Sequence, residues 1–360
     1  MHPRLYPKII ALREKIRLLR QELDDASRDF DPKGVWKPWH GKGEACPVAG
    51  ADGSFNYLQR LGFTLAGATG ASFYSGDESG DFFLAELDIV RPGEMEPGEM
   101  MGLFQSGSKI MEAKALALSC RKIRGGMGMV DGALRGIYKN YTEDMGPARV
   151  ARIAGLAEDR EGQQRLWRWA LDLLPALGER IEEDWASWGL RREIFGLEED
   201  PRFRLGLLLA LCRHEYLLSV RRILLADENQ LLGVAKTSSE CTYHDGVPDI
   251  YLFTIRTSAP GYTEPRPVAL PRDDDLPEKP CSFFYARTEE RGGVFRMEVF
   301  AKPEEVDPEA ILSVLLPTSV AGYPYPLSKA HKLCTLSFEA LAKYLELAGG
   351  KHEPTGREAL

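Results

Sequence analysis

Two aspartates stand where apolar runs meet glycine: Asp52 in Val48-Ala49-Gly50-Ala51-Asp52-Gly53-Ser54, and Asp131 in Met127-Gly128-Met129-Val130-Asp131-Gly132-Ala133-Leu134. Both segments read as strand ends. Carboxylates far apart in sequence but carried on neighbouring strands can converge on a divalent metal, because hard cations prefer oxygen ligands. An Asp-Gly pair alone is a common turn dipeptide, so neither is informative without company. Glu112 lies beside the stripe of a helical pattern made by Phe104, Met111, Ala115 and Leu118, from where its carboxylate could point at a neighbouring strand end. Near the other terminus, Gly322-Tyr323-Pro324-Tyr325-Pro326 is a proline-fixed turn that leads into a helix presenting His331 one turn in.

Taken in order, these elements resemble the NurA family of nucleases. That family's sequence of parts is an Asp-Gly-Ser strand, a helix glutamate best matched by Glu112, a second Asp-Gly strand, a Gly-x-x-Lys strand matched by Gly233-Val234-Ala235-Lys236, and a Gly-Tyr-Pro…Ala-His element that ends here at Ala330-His331. The resemblance spans about residues 45–345. It implies an α/β fold with an RNase H-like mixed sheet flanked by helices. In such a core Asp52 and Asp131 lie side by side and Glu112 reaches in from the preceding helix.

The chemistry it implies is metal-dependent cleavage of DNA, as a 5′–3′ exonuclease, an endonuclease or both, with Mn²⁺ or Mg²⁺. Two ions about 4 Å apart can serve the attacking and leaving oxygens of an in-line displacement. The resemblance makes Asp52 the ligand shared by both ions, and Asp131 and Glu112 the completing ligands. His331 would bind the second metal or orient a water near the leaving group. Tyr323 is carried over as a site residue, although Tyr325 stands two positions away and the spacing does not select between them. Lys236 would steady a phosphate as a point charge. The implied partners are DNA, a second copy of the chain, and a hexameric HerA-type ATPase that feeds DNA ends to the nuclease for resection. Two other readings stay open: a non-catalytic adaptor or clamp for an ATPase, and an RNase H-like nuclease acting on RNA or hybrids. An intact acidic trio favours an enzyme.

Composition sets bounds. The chain has 360 residues, 44% apolar and 28% charged, and no run approaches the ~18 uninterrupted apolar residues of a membrane span. The first fifteen residues scatter Lys and Arg among apolar positions, unlike a signal peptide, which predicts a cytoplasmic protein. Cys46, Cys120, Cys212, Cys241, Cys281 and Cys334 form no C-x-x-C pair, so they read as reduced thiols and not as zinc ligands or a disulfide framework. A net charge of −8 argues against a chain that coats nucleic acid through a broad basic surface. A single cationic channel remains compatible with it, and Arg121, Lys122 and Arg124, just ahead of Asp131, form one local basic run that reads equally well as a solvated helix end. The glycines at 125–128 lack the Lys and hydroxyl residue of a phosphate-binding P-loop, so any ATP-driven movement belongs to another protein.

The elements that must hold these residues follow from periodicity. Ile9, Leu12, Ile16, Leu19 and Leu23 predict a helix over 5–28, suited to docking or to a dimer contact, and residues 30–45 read as a linker. Strands are expected at 48–57, 61–74 and 82–90, a helix at 100–122, and a mostly helical insertion over 145–226 in which Trp185 and Trp188 are packing anchors. Further strands are expected at 231–237, 250–257, 282–287 and 294–301, with helices at 308–316 and 327–347 and an exposed Pro- and Asp-rich loop at 258–280. The domain division that results is an N-terminal helix and linker (1–44), a nuclease domain (45–348) and a short tail (349–360).

Overall fold

β-Branched, aromatic and small residues dominate from Val48 to Val90, and this stretch folds as an antiparallel ribbon of three twelve-residue strands. The computed structural model describes residues 5–60, 62–91, 93–197, 200–225 and 228–349. Helix α1 (Leu5–Ala26) opens the chain and strand β1 (Trp36–Pro38) follows. The ribbon is β2 (Val48–Gln59), β3 (Thr64–Ser75) and β4 (Ser79–Val90), with Asp52 opposite Ala71 and Gly53 opposite Gly70. Helix α2 (Pro97–Cys120) starts on Pro97 and is capped by Glu99, whose carboxylate accepts the Glu96 backbone N–H. It crosses back over the ribbon and delivers the chain to β5 (Met127–Asp131), which lies parallel to β2.

A helical layer follows: α3 (Leu134–Lys139), α4 (Pro147–Ile153), α5 (Arg160–Glu179), α6 (Ala186–Gly189), α7 (Arg191–Leu197) and α8 (Pro201–Leu224). Strand β6 (Gln230–Ala235) then pairs parallel to β5. The remainder comprises α9 (Asp249–Arg256), β7 (Gly261–Thr263), β8 (Arg266–Pro267), β9 (Ser282–Arg287), β10 (Phe295–Val299), α10 (Pro308–Leu315), β11 (Ser319–Val320), β12 (Tyr323–Pro324), α11 (Tyr325–Cys334) and α12 (Phe338–Leu347). The large sheet runs β1-β7-β9-β10-β6-β5-β2-β3-β4, with β8 paired to β9. Its β4-β3-β2-β5-β6 half, an antiparallel ribbon beside a parallel pair, is the RNase H-like arrangement.

Both faces of the sheet are covered. One core packs Leu103, Phe104, Met111 and Leu116 of α2 against the insertion, where Trp185 and Trp188 stack on each other and edge onto Phe104. The two tryptophans are packing anchors, as their periodicity implied. The opposite core joins Val48, Met129, Leu232 and Phe284 to Ile311, Leu312 and Leu327. The insertion is pinned to α2 by a buried ion pair, Lys114 Nζ to Glu215 Oε1 at 2.6 Å, and the Glu215 carboxylate also accepts the backbone N–H groups of Ala186 and Ser187. Removing one member of such a pair strands a buried charge. Glu215→Ala is therefore expected to cost about 3–5 kcal/mol of stability, read as a drop in denaturant midpoint.

Four expectations are corrected. Residues 250–257, rich in β-branched and aromatic side chains, form helix α9 and not a strand. Tertiary contacts override propensity there, because the buried Asp249 carboxylate binds the N–H groups of Thr242 and Tyr243 and the Tyr285 hydroxyl, fixing the helix start after Pro248. The expected single helix over 327–347 is two, broken at Thr335-Leu336-Ser337, where Ser337 caps α12 by accepting the Ala340 N–H. The stretch 30–45 carries β1, with Trp36 and Trp39 buried, and so joins the sheet edge. The loop 258–280 contributes β7 and β8, and its Leu276 is buried. Helix α1 forms as expected but buries no residue. Leu61, Pro92 and the tail from 350 onward lie outside the described residues. Among the described residues no helix is long and apolar enough to cross a membrane.

Candidate active site

Parallel pairing sets Ala51 beside Val130, so one register step further Asp52 and Asp131 leave neighbouring strands at the same level and on the same face. Asp131 ends β5, and Gly132 turns the chain at φ +128°, as an Asp-Gly strand end should. Asp52 does not end its strand. β2 continues to Gln59, and Gly53 serves close approach in place of a turn: a Cβ there would lie 2.7 Å from the Ser108 carbonyl oxygen and 3.2 Å from Glu112 Oε2. Across the ladder, a Cβ on Gly70 would lie 2.3 Å from the Met111 carbonyl carbon. These two glycines form a saddle in which α2 sits, and the saddle brings Glu112 to the aspartates.

Each carboxylate is held by a basic side chain. Asp52 Oδ2 is 2.7 Å from His331 Nδ1, and Asp52 Oδ1 accepts the Gly53 N–H. Lys236, the first residue past β6, donates to Asp131 Oδ2 at 2.8 Å. Lys109 donates to Glu112 Oε2 at 2.6 Å from one turn earlier on α2. Burial pushes the Glu112 carboxyl above its usual range, Lys109 pulls it back, and the charges on Asp52 and Asp131 add to the rise. The Glu112 carboxylate in turn raises the Lys109 ammonium.

The tyrosines separate clearly. Tyr323 lies under the Lys236 ammonium, 4.3 Å from ring centroid to nitrogen, and burial followed by the Asp131 carboxylate pushes its phenol up. Its hydroxyl is buried and faces the Asp131 carboxylate. Tyr325 turns away to meet Phe73 edge-on. The site therefore gathers Asp52, Glu112, Asp131, Lys236, Tyr323 and His331, and leaves Tyr325 outside. Arg121, Lys122 and Arg124 precede Met127 and so stand at the far end of β5, where Arg121 and Arg124 line a separate cavity with Arg222. Lys109 was missed in the sequence. Its spacing three residues before Glu112 on a helix was the available signal.

The donor set suits a hard divalent cation: three carboxylates that repel one another, plus an imidazole. Among the described residues, no group of three or more His, Cys, Asp or Glu side chains is already gathered in ligating geometry. The carboxylates face Lys109, Lys236 and His331 instead, so an ion would take over contacts that these groups now supply.

Comparison with known proteins gives a consistent answer. The sequence model of the NurA domain matches residues 46–335. The chain is 30% identical over 332 residues to a Methanocaldococcus jannaschii protein named "Probable DNA double-strand break repair nuclease NurA", covering 83% of this chain and 78% of that one. It is 22% identical over 373 residues to the DNA double-strand break repair nuclease NurA of Saccharolobus solfataricus, covering 97% and 95%. In fold it is similar to the crystal structure of the NurA nuclease from Sulfolobus solfataricus, with a TM-score of 0.67, 19% identity and 97% of both chains covered. It is also similar to a crystal structure of NurA bound to dAMP and manganese, with a TM-score of 0.68, 16% identity, and 95% and 97% covered.

Proposed function

Because this chain belongs to the NurA family, we propose that its acidic cleft hydrolyses DNA phosphodiesters with divalent metal, in the processing of double-strand breaks. The observation that carries this reading is the convergence of Asp52, Glu112 and Asp131 from three separate elements onto one face, each within reach of a basic side chain. Bound metal, Mn²⁺ or Mg²⁺ and in our reading two ions, would supply Lewis acidity and an activated water. In this reading Asp52 would hold both, with Glu112, Asp131 and His331 completing the set. Lys236, once its carboxylate is engaged, becomes a phosphate contact from the rim of the cleft, and Tyr323 fixes its ammonium from below. The direct test is cleavage of end-labelled DNA by the purified chain with Mn²⁺, Mg²⁺ or chelator. Absence of metal-dependent cleavage, alone and with an ATPase partner, would leave the adaptor reading.

His331 separates chemistry from binding. It is exposed on α11 and touches Asp52 through Nδ1, which leaves Nε2 for solvent, metal or leaving group. His331→Ala should lower single-turnover cleavage roughly a hundredfold, the low end of what a proton-transfer group supplies. DNA affinity measured on the same protein should change little. Unchanged cleavage would make His331 a packing residue.

We propose a homodimer that works with a HerA-type hexameric ATPase. The support in this chain is α1, which exposes Leu5, Ile9, Leu12, Ile16 and Leu19 and buries nothing. Light scattering should give twice the 40.2 kDa chain mass, and a monomer would count against the dimer.

A further inference from the structure

A cavity of about 190 Å³ adjoins the acidic trio. Glu112, Asp131 and Lys109 are part of its lining, so it borders the cleft in which the proposed reaction would take place. Its walls are apolar: Ala113 and Leu116 come from α2, Val130 from β5, and Val220 and Ile223 from α8. Two polar groups share the same lining. The Asn140 amide is 3.5 Å from the Tyr216 hydroxyl, which donates onward to the Ile137 carbonyl. Among the described residues the Asn140 amide oxygen accepts no hydrogen bond and its nitrogen makes only that long contact, so most of its hydrogen-bonding capacity is uncommitted.

We propose that this cavity receives one unstacked nucleobase of the strand being cut, that of the nucleotide next to the scissile phosphate. The proposal rests on the nuclease reading above and adds a subsite to it. The chemistry fits a base better than the other parts of a nucleotide. Away from the end lined by Lys109 and the carboxylates, a phosphate or sugar would bring charge or several hydroxyls against five apolar side chains, at a desolvation cost. A base brings two apolar faces and a polar edge, which match the walls and the Asn140 amide. The volume is small for a whole ligand, since pockets for drug-sized molecules run to about 300–1,000 Å³, and it has no room for a base pair. Entry therefore requires a base already out of the stack, which costs least at a frayed or single-stranded end. The α8 wall gives the helical insertion a role in substrate choice as well as in packing.

The test pairs substrate and protein changes. A single-stranded oligonucleotide is compared with copies that carry an abasic residue on one side or the other of the cleaved bond. Wild-type protein should cut the intact strand and lose roughly tenfold to a hundredfold in kcat/KM on one of the abasic copies, the range that burial of one base is worth. Val220→Phe, which fills the cavity from the α8 side, should erase the difference between the two substrates. Val220→Ala, which widens it, keeps the comparison available where the larger side chain harms folding, and should shift the base preference toward purines. Calorimetry with dAMP and with 2-deoxyribose 5-phosphate reads the same subsite without turnover: wild type should favour dAMP and Val220→Phe should not. Equal cleavage of intact and abasic strands by an active wild type overturns the subsite and leaves the nuclease assignment standing. An inactive wild type overturns the nuclease assignment instead, and equal affinity for the two small probes then removes the subsite with it.

Discussion

Asp52→Ala is expected to abolish metal-dependent DNA cleavage, by at least about a thousandfold, with the fold intact. Losses of that size accompany removal of a member of a catalytic set whose parts act as a unit. The structure explains why stability should survive. Asp52 makes one bond to the exposed His331 ring and one to the neighbouring Gly53 N–H, and a single hydrogen bond contributes only about 1 kcal/mol net. Against those losses, its charge stands near Asp131 and adds to the cost of charging buried Glu112. Melting in chelator should thus hold or rise, while single-turnover cleavage with Mn²⁺ vanishes. Cleavage at the wild-type rate would remove Asp52 from the metal site, and a lower melting temperature would show that its hydrogen bonds outweigh the repulsion.

Glu112→Gln should reduce cleavage roughly a hundredfold or more, the scale on which changes around a metal site act. The substitution keeps volume and hydrogen-bonding shape in a buried position and removes the charge that would hold a hard cation. Affinity for Mn²⁺, measured by calorimetry, should fall with activity. Glu94, Glu96 and Glu99 offer a built-in comparison. They lie at the start of α2, three or more turns from Glu112, and Glu99 is occupied in capping. If one of them, and not Glu112, proves sensitive, the assignment of the helix ligand fails.

Much of this site could be read from sequence because its residues fall at recognisable chain positions. Asp131 stands at a true strand end before a glycine that turns, Lys236 follows the last residue of β6, and His331 sits in the last turn of α11, past the proline-fixed turn that starts it. The ribbon, α2 and the helical insertion were equally legible, since each carries a sustained period. What failed depended on partners distant in sequence. Helix α9 is fixed by Asp249, which binds Thr242 and Tyr243 across a short non-periodic turn and Tyr285 from 36 residues later, contacts that no periodic pattern contains. Tyr323 and Tyr325 differ only in what surrounds them, Asp131 and Lys236 for one and Phe73 for the other. Gly53 was misread for the same reason. Its dipeptide signals a turn, yet the helix pressing on it from 55 residues later in the chain is what excludes a side chain there.

That contact has a consequence for how the cleft tolerates change. Gly53 and Gly70 face each other across β2 and β3 with the α2 backbone resting on both, so the gap between sheet and helix does not admit a side-chain carbon at either position. The span from the two aspartates to Glu112 is thus a mechanical clearance, fixed by atoms the protein lacks. A methyl group added at either glycine carries no charge and contacts no substrate, yet it would lift the helix and detune the cleft. The most sensitive setting of this machinery lies in its spacers, away from the groups that react.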